Sequence, residues 1–221
     1  QRGLFSFRFG GLTKVGLPII IDEKGEPISA EDINFQEREN LSFLKYEGPT
    51  TPTINGGLGN IFRYKNLRLN VFITYAFGNK IRLDPVFKSG YNDLSSMPKE
   101  FKNRWMIPGD ETKTNVPVIL SKWQLSDYSD LTKLYSAYNY TYARIADGGF
   151  IRMKEISLTY DLPKKMISRY FESASVKLQA TNLFLIYSDS KLNGQDPEFF
   201  RSGGVSAPVP KQFTMTLRLG F

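Results

Sequence analysis

Cysteine and histidine are both absent from this 221-residue chain. Without cysteine there is no disulfide frame and no thiolate metal site. Without histidine the commonest general base, the commonest zinc ligand and the Ser-His-Asp arrangement disappear together. No Gly-x-Ser-x-Gly elbow and no base–nucleophile pair replaces them. No catalytic residue, no metal site and no cofactor is therefore expected. Long hydrophobic runs are missing as well. The runs 17–21 and 183–187 fall far short of the roughly 18 residues that a spanning helix needs. With 41% hydrophobic residues and a mean hydropathy of −0.32, a helical membrane protein is excluded. A membrane barrel is not, because its strands hide apolar side chains at every second position. Gln1-Arg2-Gly3 does not open a charged region followed by an apolar core, so the chain is expected to begin after processing or to be part of something longer.

The length suits one large or two ordinary domains. The net charge of +7 is spread along the chain rather than clustered, so no nucleic-acid partner is expected. Aromatics are plentiful, with 17 Phe and 12 Tyr. That suits aromatic girdles at two membrane interfaces, and it suits a carbohydrate-binding sandwich equally.

The pattern is clearest at the end, over residues 211–221. Phe213, Met215, Leu217, Leu219 and Phe221 hold one parity; Gln212, Thr214, Thr216, Arg218 and Gly220 hold the other. Successive strand side chains point to opposite faces, so this strand is apolar on one side and polar on the other. It is about as long as a tilted strand must be to cross a bilayer. A soluble sheet shows the same alternation, so this strand alone leaves a barrel and a sandwich both open.

The same period recurs upstream. Leu58, Asn60, Phe62 and Tyr64 share one parity, and after a tight connection at Lys65-Asn66 so do Leu67, Leu69, Val71, Ile73, Tyr75 and Phe77. A third strand over 149–160 alternates Ile156, Leu158 and Tyr160 with Ser157 and Thr159. Arg152 and Lys154 fall on its apolar parity, which places that end beyond the hydrocarbon. A fourth strand over 174–186 alternates Val176, Leu178 and Ala180 with Lys177, Gln179 and Thr181. The division is then residues 1–54, a loop region with short hairpins interrupted at Gly10-Gly11, and 55–221, with strands at 55–65, 66–78, 149–160, 174–186 and 211–221. Long loops fill 79–148 and 187–210. Residues 31–40 are polar, with one or two helical turns.

Three motifs invite chemistry and do not sustain it. Gly56-Gly57-Leu58-Gly59 precedes a strand instead of opening a helix, so it is no phosphate loop. Asp22-Glu23-Lys24-Gly25 lacks the alternating ligands of a calcium loop and reads as a turn with a left-handed glycine. Asp196 and Glu198, one residue apart in an extended segment, point opposite ways, which is poor geometry for an acid/base pair. Hydrogen bonding to neighbouring loop amides suits them better.

The stretch 79–147 is too long and irregular for a compact soluble domain. Its Trp105, Trp123, Tyr128, Tyr135, Tyr138, Tyr140 and Tyr142 form either a ligand- or partner-facing surface or internal loop packing. Placing Phe221 on the periplasmic side makes both short connections, near 65–66 and 161–173, periplasmic and both long loops extracellular. That asymmetry is the habit of outer-membrane barrels. Five strands cannot close such a wall, because open edges would leave unpaired amides facing lipid.

Several motifs, in order, carry a family resemblance. The run Gly149-Phe150-Ile151-Arg152-Met153-Lys154-Glu155-Ile156-Ser157-Leu158-Thr159-Tyr160-Asp161-Leu162-Pro163 resembles the penultimate hairpin of SusC/RagA-family outer-membrane proteins. Ala180-Thr181-Asn182-Leu183-Phe184, Asp196-Pro197-Glu198, Phe62-Arg63-Tyr64-Lys65-Asn66-Leu67-Arg68-Leu69 and Phe5-Ser6-Phe7-Arg8-Phe9-Gly10-Gly11-Leu12 are similar to further stretches of that family. The resemblance implies an all-β fold, the C-terminal part of a 22-stranded TonB-dependent transporter barrel. It implies outer-membrane import of oligosaccharides or oligopeptides with a SusD-like surface lipoprotein. It also implies lipid around the wall, the remaining barrel and plug elsewhere, and TonB acting through that plug. Phe213, Met215, Leu217, Leu219 and Phe221 resemble the terminal signal that barrel-assembly machinery reads. The different reading is a soluble aromatic-rich β-sandwich that binds carbohydrate without transport.

Overall fold

The computed structural model describes residues 2–37, 42–88, 96–167, 170–200 and 208–221. Its strands are, in chain order, β1 (Gly3–Leu12), β2 (Pro18–Ile21), β3 (Leu44–Pro49), β4 (Ile54–Tyr64) and β5 (Leu67–Phe77). They continue with β6 (Lys80–Arg82), β7 (Ile145–Asp147), β8 (Phe150–Asp161), β9 (Ser173–Ser188) and β10 (Gln212–Gly220). The helices are α1 (Lys122–Asp127), α2 (Ser129–Asn139) and α3 (Lys164–Ile167). No helix among the described residues is long and apolar enough to cross a membrane, which says nothing about strands. The chain divides into two compact units, residues 1–50 with 80–146 and residues 51–79 with 147–221.

In the first unit β1 is the middle strand of an antiparallel sheet ordered β2-β1-β3. The expected interruption at Gly10-Gly11 does not occur. The strand runs on to Leu12 through a bulge between Phe9 and Gly11, and Gly11 takes a φ of 101° that favours glycine. The extra residue returns Leu12 to the face of Phe9, so both are buried. The Asp22 turn closes as the sequence suggests: its Oδ1 accepts from the Lys24 and Glu26 amides, and Gly25 sits at φ 91°. The Glu26 and Lys24 amides hold the Asp22 carboxyl below its usual range.

The described residues of the stretch 79–147 are more ordered than its prolines suggest. α1 opens with a capping box in which Ser121 Oγ accepts from the Gln124 amide and Gln124 Oε1 accepts from the Ser121 amide. α2 packs its apolar side on the sheet: Ala137 joins Phe7, Ile20 and Ile33, while Tyr138 joins Phe9, Leu12, Val86 and Val116. Asn139 fastens the 86–87 backbone, accepting from both amides at 3.1 Å and donating to the Phe87 carbonyl at 2.9 Å. Arg144, buried, pairs with Glu100 at 2.7 Å and donates to the Asp84 carbonyl at 2.6 Å. In residues 31–37 the described backbone forms turns, and 38–40 lie outside the described residues, as do Ser202, Gly203 and Gly204.

The second unit is a single antiparallel sheet ordered β10-β9-β8-β5-β4. Removing the 80–146 insertion leaves a plain up-and-down meander. β4 and β5 meet at a two-residue connection, with Lys65 in the left-handed region at φ 53° and Tyr64 paired to Leu67. The Asn66 amide side chain donates to the Asp161 carbonyl at 2.8 Å, tying that turn to the end of β8. The sheet is mostly continuous in register but not closed, with β4 and β10 as its two edges.

Candidate functional site

The five-stranded sheet has two chemically distinct faces, and the register fixes which residues share each. On one face Phe62, Leu69, Leu158, Leu178 and Met215 form one row across all five strands. The next row toward the Lys65-Asn66 turn is Tyr64, Leu67, Tyr160, Val176 and Leu217. At the opposite end Tyr75, Ile151 and Tyr187 align, with Tyr75 and Tyr187 each in ring contact with Phe77. Aliphatic rows thus lie between aromatic ones. Much of this face is exposed: Leu58 is 66% accessible, Met215 69% and Phe213 76%. The opposite face is polar. There Asn70 donates to Glu155 at 3.3 Å, Lys177 lies 4.0 Å from Glu155, and Arg68 lies 3.6 Å from Asp161.

One expectation about these faces is overturned. Arg152 and Lys154 were placed on the apolar parity, but β8 carries a bulge: Phe72 pairs with Glu155 and Ile73 with Met153, leaving Lys154 as the extra residue. A one-residue shift moves every later side chain to the other face. Met153 and Ile151 therefore continue the apolar face, and Arg152, opposite Thr74, belongs to the polar one.

Arg152 is also where Asp196 and Glu198 meet. The segment after Asp196 is not extended but a 3-10 helix at Pro197–Phe199, so the two carboxylates converge instead of diverging. The Arg152 guanidinium donates to both Asp196 oxygens at 2.6 and 2.7 Å and lies 3.1 Å from Glu198. The Phe150 and Phe199 rings flank it at 5.4 and 5.8 Å. Asp196 Oδ1 further accepts from the Glu198 amide, the loop hydrogen bond expected of it. With the Arg152 side chain 6% exposed and that of Asp196 9%, this buried pair fastens the loop after β9 to β8. It is a positioning device, and this role of Arg152 has no local signal in the sequence because its partner Asp196 lies 44 residues away. Among the described residues no group of three or more Asp or Glu side chains is placed to hold a metal ion.

The loop aromatics separate into two groups. Tyr135 and Tyr138 are each 1% exposed and face inward, donating to the Val118 and Asn115 carbonyls at 2.7 and 2.8 Å. Burial pushes the Tyr138 phenol up to about 12. Trp105 is half-buried against the same cluster; its indole donates to Glu111 at 3.1 Å and its ring lies over Gly16, whose φ of 81° and missing side chain admit it. Trp123, Tyr128, Tyr140 and Tyr142 are exposed. Tyr140 and Tyr142 carry cations over their rings, Arg82 at 5.0 Å and Lys45 at 5.7 Å. Of the terminal set, Phe213, Met215, Leu217 and Leu219 share the apolar face in register with Ala180, Leu178, Val176 and Ala174. Phe221, 86% exposed, stacks edge-on against Phe171 at 5.2 Å.

An alternating sheet with an exposed apolar face and two open edges is the pattern of strands in the class of outer-membrane barrels, and comparison with known proteins bears on it. No family model matches the chain. It is 26% identical over 155 residues to the TonB-dependent receptor P3 of Formosa agariphila, which covers 70% of this chain and 14% of that protein. Its fold matches the RagAB peptide transporter with a TM-score of 0.68 and 22% identity over 99% of this chain and 22% of that one. It also matches the RagAB peptide importer in its open-open state, with a TM-score of 0.67 and 21% identity over 98% of this chain and 22% of that one. For the closed-closed state the TM-score is 0.64, at 22% identity over 98% and 23%. The chain thus spans about a seventh of the curated relative and under a quarter of the matched structures. These likenesses bear out the resemblance to TonB-dependent outer-membrane transporters of the SusC/RagA type.

Proposed function

We propose that this chain forms five staves of an outer-membrane barrel that imports oligosaccharides or oligopeptides. In this reading the barrel has 22 strands, a SusD-like surface lipoprotein captures the ligand, and TonB acts through a plug. The observation that carries the reading is the exposed apolar face, backed by a polar one, on a meander with two open edges. Ten steps of β5, from Leu67 to Phe77, rise about 34 Å, and a tilt of about 40° turns that into roughly 25 Å of height. The apolar band of a membrane barrel has that height, flanked as here by aromatic rows. A soluble sandwich would bury this face against a second sheet, and the exposure of Leu58, Phe62, Leu178 and Met215 speaks against it. The open edges of β4 and β10 call for further strands on either side.

The orientation follows from the connections. In this reading the short connections 65–66 and 161–173 face the periplasm, and the long loops 79–148 and 187–210 are extracellular. There Trp123, Tyr128, Tyr140 and Tyr142 offer exposed rings to ligand or lipoprotein. The terminal set Phe213 to Phe221 serves as the assembly signal. Deleting the gene in its native host tests the whole reading. Uptake of either fluorescent oligopeptides or labelled oligosaccharides should be lost, and a surface lipoprotein should co-purify with the detergent-extracted protein. Unchanged uptake of both, or extraction without detergent, would contradict it.

A further inference from the structure

In the loop-bearing unit a cavity of about 620 Å³ is walled by five aromatic side chains, Phe5, Phe7, Phe35, Phe43 and Tyr140. Short-range rules bring them together. Phe5 and Phe7 share one face of β1, in register with Tyr46 and Leu44 of β3. Ser136 and Tyr140, four residues apart at the end of α2, share a helix face. The turn at 34–37 is held by Asn34, whose Oδ1 accepts from the Gln36 amide at 2.9 Å, and it presents Phe35 and Glu37 to the cavity. The rings stand at angles around the space: Phe35 meets Phe7 edge-on at 5.7 Å and Tyr140 edge-on at 6.3 Å. Phe7 is buried, while Phe5, Phe35 and Tyr140 are about half exposed and leave the cavity open to solvent.

The chain carries a net charge of +7, yet this cavity has the opposite sign. Glu37 lines it, and an adjoining cavity of about 230 Å³, which shares Phe7, Asn34, Glu37 and Phe43, adds the carboxylate of Asp32. Among the described residues no lysine or arginine lines either one. An ionised carboxylate accepts hydrogen bonds and cannot donate, and the face of an aromatic ring attracts a cation. Walls and carboxylates therefore ask for the same thing, a positively charged donor. Tyr140 already takes one on its ring, the Arg82 guanidinium at 5.0 Å from the centroid. A neutral ligand would use the rings and leave the charge unanswered. The volume indicates the size of the occupant, since small-molecule sites run from about 300 to 1,000 Å³.

We propose that this cavity binds a small free organic cation, an ammonium group on an apolar body. The ammonium lies against Glu37 and the body among Phe7, Phe35, Phe43 and Tyr140. The site lies within one unit and does not depend on the barrel reading. Photoaffinity labelling of the full-length protein in its native membranes tests it, with a benzylammonium that carries a diazirine and, in parallel, the matching benzyl alcohol. Mass spectrometry then maps the labelled peptides. The ammonium probe should mark peptides holding Phe35, Phe43 or Tyr140 several-fold more than the alcohol does, and excess benzylammonium should suppress the mark. Labelling should fall several-fold in Glu37→Gln and further in Glu37→Gln/Asp32→Asn. Tyr140→Phe should keep it and Tyr140→Leu reduce it, because the cation meets the ring face and not the hydroxyl. Amide exchange over 3–12 and 129–139 serves as the folding control for each variant. Equal labelling by the alcohol, or labelling indifferent to Glu37→Gln, would overturn the cation site and leave only an apolar pocket.

Discussion

The two units use the same residue types in opposite ways. In the loop-bearing unit Phe7, Phe9, Tyr135 and Tyr138 are enclosed, and even its tyrosine hydroxyls reach carbonyl partners. In the five-stranded sheet Phe62, Phe184, Phe213 and Leu217 are exposed, while on the other side Glu155 joins Asn70 and Lys177, and Arg152 pairs separately with Asp196. The first is an ordinary hydrophobic core, stabilised by apolar area leaving water. The second has its core outside. In the proposed barrel its cohesion would come from the hydrogen-bonded ladder and from a lipid medium as apolar as its outer face.

That contrast can be broken by substitution. Phe9→Ala should cost about 3–5 kcal/mol, because it opens a cavity against Leu12, Val86 and Tyr138. Hydrogen exchange in the 1–50 and 80–146 amides should show the loss while the sheet amides stay protected. Phe213→Ala, with no neighbouring core to collapse, should leave both sets nearly unchanged.

A smaller effect comes from Tyr138. Its phenol titrates near 12 when folded against an ordinary value of 10, so the folded state favours the neutral form. The stability it contributes is complete below pH 10 and is lost as pH rises toward 12. Alkaline unfolding of the loop-bearing unit should therefore steepen in that window, and Tyr138→Phe should flatten it. Smallest is Ser121→Ala, which removes the cap of α1 and should cost about 1 kcal/mol, read as faster exchange in 122–127 alone.

Much of the sheet was legible because a period of two needs no long-range information. Leu67 to Phe77 and Phe213 to Leu219 announce their faces residue by residue, and the register then brings those faces together. The bulge at Lys154 was harder, since one inserted residue looks like a polar intrusion until a partner strand shows the shift. It left a trace in the sequence: Met153 and Ile151 resume the alternation on the other parity. α2 had a signal that went unread, with Leu131, Leu134, Tyr135 and Tyr138 at helical spacing inside a stretch dominated by its aromatics and prolines. The Arg152 cluster had none, because neither the convergence of Asp196 and Glu198 nor their distant partner follows from local spacing.

Met215 and Thr214 are adjacent on β10, one in the exposed apolar row with Leu178 and Leu158, the other on the polar face opposite Gln179. Folding the full-length barrel into lipid with Met215→Arg and, separately, Thr214→Arg tests the assignment of faces most directly. A membrane wall predicts a loss of about 2–4 kcal/mol for Met215→Arg and less than about 1 kcal/mol for Thr214→Arg. Equal losses, or the larger one at Thr214, would contradict it.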